Sequence, residues 1–159
     1  MATAPTQRPP FRADHVGSLL RPKELRDAFR RHAHGELGDA AFAEIQDKAI
    51  RDVVRLQEDA GLKVVTDGEF RRSSYWGRFV ERCSGFEIKP AVFKFRDDHG
   101  HEVDFTATYA SAKLARTQPL AVDEFAFLAQ VTKVTPKITM PAPSTMHFYR
   151  CTDFADPKV

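Results

Sequence analysis

The sequence predicts an α/β fold, the opening part of a (β/α)8 TIM barrel that carries an inserted antiparallel β-hairpin. Three observations predict it. Helix-period and strand-like segments alternate, the strand-like segments run into Gly-, Pro- or Ser-marked loops, and the period changes to strict alternation in the middle of the chain. With 159 residues and 42% hydrophobic content the chain can bury a core of its own. It is short of the roughly 250 residues of a closed barrel, so a truncated barrel is expected. The alternative, a small open sheet complete in itself, would leave strand edges exposed.

Charge and composition narrow the classes. Lys plus Arg number 24 against 22 Asp plus Glu, a formal charge of +2, and the basic residues are interleaved with acids. Nucleic acid is therefore not an expected partner. No apolar run approaches the roughly 20 residues that span a bilayer, and the N-terminus lacks the apolar core of a signal peptide, so no membrane partner and a cytoplasmic location are expected. Cys83 and Cys151 sit in unlike contexts without framework spacing, which predicts reduced thiols.

Taken in order, residues 1–10 are Pro-, Thr- and Ala-rich without periodicity and predict a flexible arm, with the barrel portion from 11 to 159. Phe11 to Val16 has strand character and is broken by Gly17-Ser18. Pro22 suits the first turn of a helix whose inward face is Leu25, Ala28, Phe29 and His32, and Gly35 ends it. A second helix from about Asp39 to Ala60 places Phe42, Ile45, Ala49, Val53, Leu56 and Ala60 at three- and four-residue spacing, and Gly61 stops it. Lys63 to Thr66 is then a strand, and a helical crossover between two strands favours parallel pairing.

Ser74 to Cys83 predicts a helix with Trp76, Phe79, Val80 and Cys83 on one side. Phe86 to Arg96 and Glu102 to Tyr109 alternate around Asp97-Asp98-His99-Gly100, a hairpin insertion at about 86–109. Ala121 to Thr132 resumes a helix with Phe125, Leu128 and Ala129 inward, and Lys137 to Met140 is the next strand, ending at Pro141-Ala142-Pro143-Ser144.

If the first two strands are parallel neighbours, the turns at Gly17-Ser18 and Asp67-Gly68-Glu69 face one cleft. Ser18 would then offer a hydroxyl and a backbone N–H to a carboxylate, while Glu69 would receive an ammonium group, clamping an amino acid at both ends. The plain alternative is that Ser18 starts a turn and Glu69 is a solvated loop acid. Asp67 is a second carboxylate of the same turn. His15 and His147 flank strand-end loops, as hydrogen-bond donors to the cleft or as structural residues. Trp76 and Phe70 either line a pocket or pack in the core, and Arg71 and Arg72 either attract an anionic ligand or form surface ion pairs.

Three stretches together resemble a known family. Asp14-His15-Val16-Gly17-Ser18-Leu19-Leu20-Arg21-Pro22, Val65-Thr66-Asp67-Gly68-Glu69-Phe70-Arg71-Arg72 and Thr139-Met140-Pro141-Ala142-Pro143-Ser144-Thr145-Met146-His147-Phe148 are similar to the short, stand-alone relatives of cobalamin-independent methionine synthase over about residues 11 to 150. The resemblance implies a (β/α)8 barrel in which zinc activates the homocysteine thiol for attack on the methyl group of methyltetrahydrofolate. It also implies that Ser18 and Glu69 hold the amino-acid end of the substrate. Gly17, Ser18, Glu69, Asp67, His15 and Arg72 are thus the expected substrate-binding residues, and no catalytic residue is expected within the chain.

Leu19-Leu20 stands where the full-length synthases have Phe-Pro, and Arg71 where they have a second Glu, whereas Arg72 matches. The family's zinc ligands, a His-x-Cys pair followed by a Glu and another Cys, come from the second half of the barrel and are not expected in this chain. His99-Gly100-His101 in a hairpin turn and His32-Ala33-His34 at a helix end make poor substitutes, and neither cysteine has a nearby ligand partner. Other thiol alkyltransferase chemistry on the same scaffold and a non-catalytic binding module are the alternatives. Self-association or a complementary C-terminal fragment would cover the open edge.

Overall fold

In the computed structural model residues 15–150 and 152–158 are described. The arm at 1–10, most of the expected first strand, Cys151 and the side chain of His147 lie outside the described residues. In chain order the elements are α1 (Lys23–Ala33), α2 (Asp39–Asp59), β1 (Val64–Val65), α3 (Gly77–Glu81), β2 (Cys83–Pro90), β3 (Phe95–Arg96), β4 (Glu102–Val103), β5 (Thr106–Arg116), α4 (Val122–Val131), β6 (Thr135–Pro136) and α5 (Thr145–Phe148). This is a mixed α/β fold. Among the described residues no helix is long and apolar enough to cross a membrane.

The chain divides into two compact units. One holds the described residues up to Arg71 together with Asp123–Thr139, and the other holds Arg72–Val122 and the described residues from Met140 onward. The first unit has a core of Leu25 from α1, Ala49, Ile50, Val53 and Val54 from α2, Val65 from β1, Phe70 and Leu128 from α4. Helix α1 begins after Pro22, as its preset φ favours, and turns Leu25 and Ala28 fully inward.

Helix α2 has the expected length but a different inward face. Gln46, Ala49, Ile50, Val53, Val54 and Gln57 are buried, whereas Leu56 is 67% exposed and Ala60 is also exposed. The apolar spacing misplaces the stripe because two polar side chains belong to it, each paired with a backbone group of the segment that follows β1. A similar rotation occurs in α4, where Glu124 and Leu128 are buried and Phe125 and Ala129 are exposed.

β1 pairs in parallel with β6, Val64 opposite Thr135 and Val65 opposite Pro136. The strand expected at Lys137 to Met140 therefore lies earlier, at Thr135–Pro136. The ladder ends for a physical reason: the Thr66 N–H and C=O are both taken by the Gln57 side-chain amide, at 2.9 and 2.8 Å, and no strand hydrogen bonds remain to be made there. The last bond is Lys137 N–H to Val65 O, at 2.8 Å, after which the chain leaves the sheet.

In the second unit β2 and β5 form a long antiparallel ladder, Cys83 opposite Arg116 through to Pro90 opposite Thr106, with a bulge between Ser84 and Phe86. β3 and β4 pair antiparallel, joined through Asp97, which accepts the His99 and His101 N–H groups. The alternating stretches thus differ from their expected bounds: 86–96 is split by a break after Pro90, and the return strand extends to Arg116. The helix expected from Ser74 to Cys83 is one short turn, Gly77–Glu81, because Ser74 closes a turn onto the Gly77 N–H and Cys83 already belongs to the β2 ladder. Cys83 is accordingly a strand residue, not part of a helix face. Thr108 and Arg150, both buried, tie this unit to its final helix and turn through Met146 O and Pro90 O.

Candidate functional site

The ends of β1 and β6 in the first unit gather most of the residues that the sequence singles out. Gln57 fixes Thr66 from the side, and the Thr66 hydroxyl donates to Gly17 O at 2.6 Å. One residue further, Ser18 and Gly68 form a parallel bridge, and the Leu19 N–H donates to Gly68 O at 3.2 Å. The Gly17-Ser18 turn and the Asp67-Gly68-Glu69 turn therefore run side by side, held backbone to backbone. Ser18 is exposed at this edge.

Both glycines are required by space. Gly17 has φ +120°, and a Cβ there would overlap the Thr139 methyl group. Gly68 has φ +69°, and a Cβ there would meet the Phe70 ring at 2.8 Å.

Glu69 is the most unusual residue of the site. It has φ +60°, the one positive φ at a non-glycine among the described residues, a conformation of order 1–3 kcal/mol in strain for an ordinary side chain. The surrounding bonds hold it there. Asp67 Oδ1 accepts the Glu69 N–H at 3.0 Å, the Arg21 guanidinium donates to Glu69 O at 3.3 Å, and the Thr139 hydroxyl donates to Glu69 Oε1 at 2.6 Å. The carboxylate is thereby oriented while only 8% of the residue is exposed. Glu69 is not a solvated loop acid.

The other candidates fall as follows. Asp67, 1% exposed, builds the turn by receiving the Glu69 N–H. His15 is half-buried beside Gly17, and its carbonyl accepts Lys137 Nζ at 2.5 Å. Both its ring nitrogens are buried without a hydrogen-bond partner among the described residues. Arg72 is buried rather than a surface arginine. Arg71 is engaged locally: it forms an ion pair with Asp47 and lies over the Phe127 ring at 4.6 Å. Phe70 is wholly buried in the core, and Trp76 is half-buried at the start of α3.

Sequence reasoning gave no site role to Gln57, Arg21, Lys137 or Thr139, although Arg21 and Thr139 stand in the stretches that carry the resemblance. A shallow groove of about 390 Å³ over α1, lined by Lys23, Glu24, Asp27, Ala28, Arg31 and Ile45, contains none of the site residues.

Metal chemistry finds no donor set here. Among the described residues no group of three or more His, Cys, Asp or Glu side chains could hold a metal ion. His101 pairs with Asp97 at 3.2 Å, and His32 with Asp39 at 2.8 Å while stacked on Phe42. Burial pushes the Cys83 thiol up from its usual range, which keeps it protonated at neutral pH.

The chain is similar to several known proteins. A methionine synthase of Sulfurisphaera tokodaii is 34% identical over 132 residues, covering 82% of this chain and 38% of the relative. An uncharacterized Bacillus subtilis protein is 36% identical over 149 residues, covering 92% of this chain and 39% of its own length. The chain thus spans about two fifths of the curated relatives it matches. Among solved structures, a vitamin-B12-independent methionine synthase described as putative, from Listeria monocytogenes, superimposes with a TM-score of 0.70 at 29% identity over 92% of this chain and 40% of that one. A B12-independent methionine synthase from a Shewanella species, solved in complex with selenomethionine, gives a TM-score of 0.57 at 25% identity over 76% of this chain and 33% of that one. Residues 11–147 match the family described as cobalamin-independent synthase, catalytic domain, and the chain belongs to that family.

Proposed function

We propose that this chain supplies the amino-acid-binding part of a methyltransferase of the cobalamin-independent methionine synthase type, which moves a methyl group from 5-methyltetrahydrofolate to the homocysteine thiol. The observation that carries the proposal is the buried, oriented Glu69 carboxylate lying beside the Gly17-Ser18 turn. A carboxylate so placed receives an ammonium group at low desolvation cost, because its own reorganisation is already complete. The turn across from it presents Ser18 at an exposed edge, suited to the ligand's carboxylate. The selenomethionine carried by the Shewanella relative is an amino acid of this class.

In this reading the parallel β1–β6 pair belongs to a (β/α)8 barrel, with the antiparallel ladders inserted between its parts. A free thiol with a pKa near 8.5 is mostly protonated at pH 7, so thiolate formation calls for zinc or an equivalent. The described residues do not fit that metal, and the part assigned to this chain is to bind and orient the substrate. His15 and Asp67 are supporting residues beside the same two turns, Arg72 is a further substrate-binding candidate, and the reading places the protein in the cytoplasm. A different thiol acceptor is the second reading, favoured by Arg71: it replaces the second Glu of the full-length synthases and is tied to Asp47.

Calorimetry tests the proposal. Glu69→Ala is expected to weaken L-homocysteine or L-methionine binding at least tenfold, as loss of a hydrogen-bonded charge pair requires. Unchanged affinity removes Glu69 from the site.

A further inference from the structure

We propose that Thr139 is a positioning residue for amino-acid binding: its hydroxyl aims the Glu69 carboxylate while its methyl packs against the Gly17 turn. The inference rests on the reading of Glu69 as the ammonium-binding group.

Thr139 follows β6 by three positions and has left the sheet, so no ladder bond dictates its side chain. Its two branches do different things. Oγ1 donates to Glu69 Oε1 at 2.6 Å. Cγ2 lies against Gly17, filling the space a Cβ there would need. The threonine thus touches both halves of the proposed clamp.

The hydroxyl contact matters because Glu69 already occupies a positive-φ backbone and carries a flexible side chain. A carboxylate offers roughly four lone-pair sites, and the Thr139 hydroxyl takes up only one of them. The hydroxyl donor selects one side-chain orientation before the ligand arrives, and that preorganisation appears as affinity. The methyl contact is packing: it fills the space beside Gly17, whose turn is already held to the Gly68 turn backbone to backbone.

The two branches can be separated by substitution. Thr139→Val keeps the shape and removes the donor, whereas Thr139→Ser keeps the donor and removes the methyl. In calorimetric titrations of the full chain with L-methionine, Thr139→Val is expected to weaken binding about tenfold and Thr139→Ser by about twofold or less. In a Glu69→Gln background, Thr139→Val should add little, since residues acting through one group are not additive. Wild-type affinity in Thr139→Val, or losses that multiply fully in the double variant, would overturn the proposal.

A second readout does not depend on ligand. With 13C-labelled glutamate carboxyls, the Glu69 resonance of the free chain should move in Thr139→Val and stay in place in Thr139→Ser. A resonance indifferent to both variants overturns the proposal whatever the binding data show. Failure of the wild-type chain to bind L-methionine would instead overturn the amino-acid-site reading, and the resonance would then decide the Thr139–Glu69 coupling alone. Should Thr139→Val fail to fold, Thr139→Ala repeats both measurements.

Discussion

The two units of the chain use polar groups in opposite ways. In the first, buried and half-buried side chains complete the backbone of the site: Gln57 pairs both groups of Thr66, Thr66 holds Gly17, and Asp67 and Arg21 hold Glu69. In the second, the backbone is completed by its own long β2–β5 ladder, and the side chains beside it form an aromatic group of Phe93, Phe95, Phe105, Phe148 and Tyr149. Phe95 and Phe148 are 44% and 63% exposed. A region that must present an unusual backbone conformation draws on specific side chains, whereas a regular ladder needs few of them.

The largest effect should separate the two cores. Ile50 is fully buried in the first unit, so Ile50→Ala is expected to cost about 2–5 kcal/mol by lost transfer energy and a residual cavity. Phe148→Ala removes a larger side chain that is mostly in water, and should cost about 1 kcal/mol or less. Urea unfolding of both variants measures the difference, and equal losses would remove the contrast.

The next effect concerns the polar ties. Gln57→Leu keeps the volume but leaves the Thr66 N–H and C=O without their partner, which predicts a loss of about 2–3 kcal/mol. Thr108→Val in the second unit removes one hydroxyl donor to Met146 O and should cost about 1 kcal/mol. If Thr108→Val proves the more damaging, the ladder unit depends on side-chain ties as strongly as the site does.

The same contrast explains what was legible in the sequence. Both long helices were, because Pro22, Asp39 and Gly61 mark ends that local chemistry decides and the apolar spacing marks a helix. The inward face of α2 was not, since Gln46 and Gln57 look like surface residues until their backbone partners are known. β1 and β6 were misjudged by a few residues because Thr66 bonds to a helix side chain and not to a strand. At the site, Gly17, Ser18 and Glu69 were legible from their turns. Thr139 heads the third resembling stretch, but its bond to Glu69 joins residues 70 apart in the chain, which no local pattern records.

The smallest effect is a pH dependence, and it too has one carboxylate in each unit. In the first, the Lys133 backbone N–H and the Thr132 hydroxyl hold Glu58 below the usual glutamate value of about 4.3. In the second, His101 and His99 backbone N–H groups, with the His101 ring, hold Asp97 below the usual aspartate value of about 3.9. Both folded values are depressed, so the unfolded chain takes up these protons first. The stabilisation is present above the ordinary value and is lost as pH falls through the lowered one. Glu58 ties the end of α2 to the segment after α4, whereas Asp97 only closes the turn between β3 and β4. Acidification below about pH 4 should therefore loosen a contact between elements in the first unit and only a local turn in the second. The Lys133 and His101 amide proton shifts follow the two titrations separately. Glu58→Gln should flatten the Lys133 profile and leave that of His101 unchanged, and a Glu58 midpoint at or above the ordinary glutamate value would refute the tie.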